Sequence, residues 1–282
     1  MKHKKAGFYL LALLPFFLLV LFFEIVPLVM VIFRSFLPED SFGFTLQNYV
    51  DIFGKKLYRQ AVINSVLVSA VSALAGIIVA FFGAKAAQNV GGKLRGFFLS
   101  VLNMTSNFAG IPLAFAYIIL LGNVGVLIIV GKKYGISFLA DFNLYSITGL
   151  MMTYVYFQVP LATMLLMPAF DGIHPRWRES VELLGGGGLA FWRKVGIPVL
   201  MPSILGTVSV LFANSLAAYA TAYALLQNNF SLLPIRLQEQ FTGDMVQHKE
   251  FGSALAVVLM ILMVCAVGIN NFILKKNRRN EL

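Results

Sequence analysis

Apolar positions in this chain gather into six long runs, at about 8–33, 61–87, 97–121, 144–170, 203–226 and 252–274. A helix needs roughly 20 apolar residues to cross a hydrocarbon layer. All six runs reach that length, so the pattern predicts an all-α, polytopic membrane protein with about six transmembrane helices. Segment 34–60 is a polar loop with room for a short interfacial helix near 46–53. Segment 122–143 holds an apolar stretch, 124–130, only about a third as long as a crossing helix. It dips into the interface or lines an outer mouth. Segment 227–251 is the longest charged loop of the second half. The basic start, Met1-Lys-His-Lys-Lys5, and its apolar run have the order of a signal peptide. The run is too long for one and no small-x-small site follows, so it reads as the first span.

One polar interruption organises the second half: residues 171–202, DGIHPRWRESVELLGGGGLAFWRKVGIPVLMP. Pro175 suits the first turn of a helix, where its missing N–H costs nothing. Ile173, Trp177, Val181 and Leu184 recur at helical spacing and make one side apolar. Arg176, Arg178, Glu179 and Glu182 occupy the other sides. Gly185 to Gly188 stop the helix, since glycine readily takes the left-handed conformation at C′. Residues 189–195 then lead through Arg193 and Lys194 to Pro198 and Pro202, a proline-marked return to an apolar run. An amphipathic helix exposed between two spans needs something to bury its apolar side, and a cytosolic partner fits.

Glu179, Gly185 six positions on, Ile197-Pro198 and then Pro202 resemble the EAA loop of binding-protein-dependent ABC importer permeases of type I. That loop reads Glu-Ala-Ala, three variable positions, Gly, a variable stretch, then Ile/Leu-x-Pro or Leu-Pro. Here Ser180-Val181 replace the two alanines and Gly186 stands where alanine is common, while the spacing is intact. The resemblance implies one transmembrane permease domain, 1–282, with 171–202 as its cytoplasmic coupling loop. Pro175, Trp177, Glu179, Val181, Gly185 and Pro198 are then the residues that couple to an ATPase. It also implies two ATPase subunits, a second permease, an extracytoplasmic solute-binding protein, alternating access, and a place in a bacterial inner membrane. The run 215–226, SLAAYATAYALL, is similar to the branch that handles polyamines, iron(III), thiamine and organophosphonates.

Composition agrees with lipid as the solvent: 59% of residues are hydrophobic and 12% charged, against about 25% charged in soluble domains. A net charge of +10 on a soluble protein would suggest nucleic acid. The distribution decides otherwise. The N-terminus, 85–95, 171–202 and the tail 275–282 hold fourteen Lys/Arg against four acids. The remaining loops hold eight against seven. By the positive-inside rule the first set, with both termini, is cytoplasmic. The excess is a topology and lipid-headgroup signal, and no nucleic acid is expected. Cys265 stands alone, which excludes a disulfide within the chain. His3, His174 and His248 are scattered, so no metal site is expected.

No nucleotide site is expected either. The nearest approach to a phosphate-binding loop is GVLIIVGKK at 125–133. It is one residue too long, and Lys133 stands where a Mg²⁺-binding hydroxyl is needed. Neither a nucleophile elbow nor paired carboxylates within a span argue for an enzyme, and no cofactor is implied. Polar residues inside the spans remain. They are costly in lipid and face a bundle interior or a water-filled cavity. Asn103, Ser106 and Asn107 form a stripe completed by Gly110. Tyr154 and Gln158 lie just before a break at Pro160, and Asn214 lies seven before Thr221 with Tyr219 between. These residues and Glu24 are the candidate translocation path. The other reading of each is a hydrogen bond between helices. Glu24, three before Pro27, would be the carrier of a proton-coupled secondary transporter. That alternative explains one carboxylate but not the Glu179–Pro202 spacing. A scaffold without transport would pack the polar stripes together and leave no cavity. The one charged side chain well inside a span, Glu24, is acidic, which leans toward a small polar solute, cationic or neutral.

Overall fold

The computed structural model describes residues 13–39, 43–88, 90–242 and 248–279. Among them there is no strand. The basic start of the chain lies outside the described residues. The chain divides into two compact units, 1–59 with 236–260 and 60–235 with 261–282.

In the first unit, α1 (Leu13–Arg34) exposes apolar side chains all round. That is the pattern of a helix whose solvent is lipid or another membrane protein. It widens into a π turn at Leu21–Ile25, closed from Val26 N–H to Leu21 O. Pro27 follows, and the wider register spares it a bond it cannot donate. α2 (Gln47–Gly54) is the short helix expected near 46–53. Asn48 Nδ2 donates to Ser35 O and Leu37 O, both at 3.0 Å, and ties α2 to the chain leaving α1.

In the second unit, α3 (Lys56–Gln88), of which residues 60–88 belong here, buries a stripe of small residues. Ser65, Ser69, Ser72, Gly76, Ala80 and Ala84 recur at helical spacing along it. Small residues let membrane helices approach closely. A Cβ on Gly76 would stand 3.1 Å from Gln158 Cβ, so α3 and α8 (Ile147–Asp171) pack so closely there that a side chain would press on Gln158.

The third expected span is two helices, α4 (Gly92–Asn107) and α5 (Ile111–Leu121). The break has a local cause: Gly110 has φ +74° and Pro112 cannot donate back into α4. Both follow α8 in one antiparallel register, but the segment here that is long and apolar enough to cross is Ile111–Tyr134, which corrects the expected 97–121. Arg95 meets Asp171, Ser106 Oγ meets Met164 Sδ at 3.9 Å, and the Tyr117 ring meets Tyr156 at 5.8 Å. Residues 124–130 belong to a short helix, α6 (Val126–Tyr134), followed by α7 (Ser137–Ala140).

The remaining helices are α9 (Pro175–Leu183), α10 (Gly188–Leu216), α11 (Tyr219–Leu226), α12 (Leu233–Thr242) and α13 (Lys249–Arg279). They correct four expectations. Pro160 sits inside a continuous α8 and breaks nothing. The fifth span begins at Gly188, so the return segment 189–202, expected as part of a loop, is already helical and the polar interruption ends near Gly187. That span stops at Leu216, with Ala217 and Ala218 outside any helix. Asn214 and Thr221 therefore lie on different helices and share no face. Finally, the charged loop 227–251 contains the helix α12.

Candidate functional site

α9 is built as the sequence predicts. Pro175 is its first residue, and Trp177 N–H donates to His174 O at 3.0 Å. Its end is a Schellman stop. Gly185, at φ +78°, donates to Glu182 O at 3.0 Å, and Gly186 donates to Val181 O at 2.9 Å. Gly186 has its own reason: a Cβ there would fall 2.7 Å from Val181 Cγ1. An alanine at this position, common in the resembling loops, would collide.

The helix is moored to the bundle. Ile173 and Val181 pack on the apolar cluster formed by α3, α4, α8 and α10, so Val181 turns toward its own chain. Arg95 donates to Asp171 Oδ2 at 2.5 Å, joining the start of α4 to the end of α8. Both partners are partly exposed, so this bridge contributes at most about 1 kcal/mol and acts as a spacer. Gln88 Nε2 donates to Phe170 O at 2.6 Å, and Lys85 Nζ lies 4.6 Å from the Trp192 ring. Trp192 also meets Phe81 and Phe170. Beneath α9 lies a cleft of 690 Å³ lined by Lys85, Gln88, Asp171, His174, Arg178 and Trp192.

The outer side of this element is uncovered. Trp177 is 40% exposed, Leu183 88%, Leu184 89% and Leu189 85%. Glu179 is exposed too, and no ion pair engages it among the described residues, whereas Arg178 is paired with Glu182 at 3.0 Å. A contiguous exposed apolar surface rimmed by charge marks an interaction site. Leu183 and Leu189 were not singled out from the sequence. Their signal, leucines flanking the glycine run, is legible only once the chain's turn at Gly185 is known. Pro198 sits further on, inside α10. A π turn at Trp192–Gly196 precedes it, and Gly196 leaves room for the Trp192 ring, 2.6 Å from where its Cβ would be.

The structure divides the residues expected to form the path. Asn103, Ser106 and Asn107 cluster at the end of α4, where Asn107 Nδ2 donates to Asn103 O at 2.8 Å. They adjoin an open cleft of 410 Å³ lined by Ser100, Asn103, Met104, Asn107 and Phe108. Asn214 is exposed on α10, and Tyr219 stacks on Tyr223 with centroids 5.3 Å apart. Tyr154 and Gln158 point the other way. They are 2% and 0% exposed, inside the chain's own core. Tyr154 OH donates to Ala218 O at 2.6 Å, satisfying a carbonyl left by the α10–α11 break. Gln158 Nε2 donates to Ser72 Oγ at 3.1 Å and to Ser215 Oγ. A single aqueous cavity containing all three clusters is therefore not what this fold builds. Glu24, on α1, is exposed and makes no hydrogen bond or ion pair among the described residues. Those residues hold no cluster of three metal-ligating side chains.

No protein-family model matches the chain. It is 24% identical over 254 residues to the spermidine/putrescine transport system permease protein PotB of Haemophilus influenzae, covering 88% of this chain and 87% of that one. It is 23% identical over 225 residues to a homolog of the permease PotC of the same type of system in Mycoplasma genitalium, covering 80% and 74%. A crystal structure of a bacterial alginate ABC transporter, in complex with a periplasmic protein bound to an alginate pentasaccharide, contains a chain with the same fold. The TM-score is 0.73 at 15% identity, over 96% of this chain and 95% of that one.

Proposed function

This chain is a transmembrane permease of the binding-protein-dependent ABC importers of type I, and we propose that α9 is the element through which an ATPase drives it. One observation carries the proposal. α9 leaves the bundle, is stopped by a left-handed glycine, and presents Trp177, Leu183, Leu184 and Leu189 uncovered. The protein is a multi-pass inner-membrane subunit of a system with an ATPase and a partner permease. In our reading two ATPase subunits close on ATP and carry α9 with them. Because α9 is moored through Ile173, Val181 and the Arg95–Asp171 bridge, its displacement is handed to α4 and α8. The cavity shared with the second permease then opens outward and receives solute from the binding protein.

Asn103, Ser106, Asn107, Asn214 and Tyr219 line the path in this reading, while Tyr154 and Gln158 hold the helices that frame it. These linings are uncharged amides and hydroxyls, suited to a small polar solute. The relatives named for spermidine and putrescine support the polyamine class. The test is uptake of labelled spermidine or putrescine into vesicles holding the assembled transporter and its binding protein. Uptake is expected to require the ATPase. It is also expected to be blocked by a water-soluble thiol reagent in Asn107→Cys or Asn214→Cys variants of a Cys265→Ser background. Unchanged uptake after both positions are labelled moves the path elsewhere, and uptake without the ATPase overturns the coupling.

Orientation is tested separately. Reporter fusions after Gly54, Lys132 and Thr242 are expected to read external, and fusions after Val90, Gly187 and Asn277 cytoplasmic. A cytoplasmic signal at Thr242 would remove a crossing helix from this topology.

A further inference from the structure

Three observations in the second unit meet at one level of the bundle. The first is that its apolar interior is two clusters. One joins α5, α6, the first half of α8 and α11, and includes Val68 of α3. The other joins the second half of α3, α4, the second half of α8 and α10, and receives Ile173 and Val181 beside α9. The change from one to the other falls between Val68 and Ala73 on α3 and between Phe157 and Ala162 on α8.

The second is that the side chains at this changeover are buried and polar: Ser69, Ser72, Gln158 and Ser215. Gln158 binds both Ser72 and Ser215, so one amide joins α3, α8 and α10. Its Oε1 is buried with no hydrogen-bond partner, and Ser72 Oγ also donates to Val68 O at 2.6 Å. The set holds more donors and acceptors than it uses. Half a turn of the amide would let the Ser215 hydroxyl donate to Oε1. A void of about 10 Å³ against Ser65, Ser69, Tyr154 and Ser215 is large enough for about one water.

The third is that the other apolar runs are interrupted here. α4 and α5 part at Phe108–Gly110, and α10 and α11 part at Ala217–Ala218. Thr221 Oγ1 on α11 donates to Gly110 O at 3.2 Å, so the two breaks lie side by side. Of these helices, α3 and α8 alone run through uninterrupted.

A continuous, close-packed apolar core resists shear. A polar seam whose bonds can change partners over a short distance does not. We propose that Gln158 is a positioning residue for transport: it sets the register between the two cores and is the point about which the core carrying α9 pivots against the other. This rests on the importer reading, which supplies the force at α9.

The experiment uses the assembled importer in lipid, with spin labels at Phe82→Cys on α3 and Val126→Cys on α6 in a Cys265→Ser background. These positions flank the seam and are exposed. The label-to-label distance is expected to differ between nucleotide-free complex and complex trapped with a non-hydrolysable ATP analogue. In Gln158→Met, of similar volume but apolar, that difference is expected to disappear. Binding-protein stimulation of ATP turnover should then fall at least about tenfold, within the range of ordinary coupling energies. Stimulated turnover with an unchanging wild-type distance overturns the pivot alone. So does a Gln158→Met complex that keeps both the distance change and normal stimulation. If the Met variant fails to assemble, the wild-type distance decides. No stimulated turnover in the wild type overturns the importer reading and the pivot with it.

Discussion

Glu179→Ala leaves the permease inserted at its normal level and cuts binding-protein-stimulated ATP turnover of the assembled importer at least about thirtyfold. This corresponds to about 2 kcal/mol, the lower end for truncating one partner of a desolvated interfacial charge pair. The expectation rests on where Glu179 stands. Its neighbours Arg178 and Glu182 are paired with each other and Ser180 bonds back to Arg176 O, but Glu179 is exposed and without an ion pair among the described residues. It sits beside apolar side chains that a partner would cover, so a basic residue meeting it there would lose its water. Gly185→Val reaches the same result by another route. At φ +78° a β-branched residue is strained, and relief of that strain unwinds the Schellman stop and re-aims Leu189. Turnover is measured on purified complexes against permease content. Full stimulation in both variants would reject α9 as the coupling element.

Phe170→Ala is expected to destabilise the permease by about 3–5 kcal/mol, the usual range for emptying a large aromatic site in a packed core. Phe170 is 0% exposed and touches the Phe81 and Trp192 rings at 5.1 and 6.2 Å. It lies one residue before Asp171, at the root of α9, so the cavity weakens the mooring as well as the bundle. In thermal unfolding the midpoint should fall by roughly 10 °C. Phe97→Ala is the control. Phe97 is 68% exposed on α4, facing lipid or a partner, and its removal leaves no internal void. Equal shifts in the two variants would show that Phe170 does not hold a close-packed core.

The helix α9 and its stop were legible because their signals are local. Pro175 at a first turn, an apolar stripe at helical spacing and a glycine at C′ act within one helix and need no neighbour. The direction of Val181 was not legible. An apolar residue at the right spacing looks the same whether its own chain or a partner covers it, and only the fold of α3, α8 and α10 around it decides. The small-residue stripe of α3 was not singled out from the sequence. Ser69, Ser72 and Gly76 carry no chemistry of their own until Gln158 arrives from 86 positions away in sequence at Ser72.

The hydrophobic runs, their number and the charge bias of their ends follow from transfer free energy. That quantity adds residue by residue along the chain, so the sequence by itself determined an all-helical chain with, among the described residues, six segments long and apolar enough to cross a membrane. Where helices break was less certain. Gly110 with Pro112 does interrupt its apolar run, while Pro160 sits in an unbroken helix. Residues 217–218 part α10 from α11 with no proline at all. Whether a backbone group freed inside a membrane is tolerated depends on what stands opposite. Thr221 answers Gly110 O, and Tyr154 answers Ala218 O. The same holds for the buried amides and hydroxyls. Their types marked them as costly, but only the tertiary structure decided which face a cleft and which tie helices together, because a polar group in an apolar medium is satisfied by a specific partner in space.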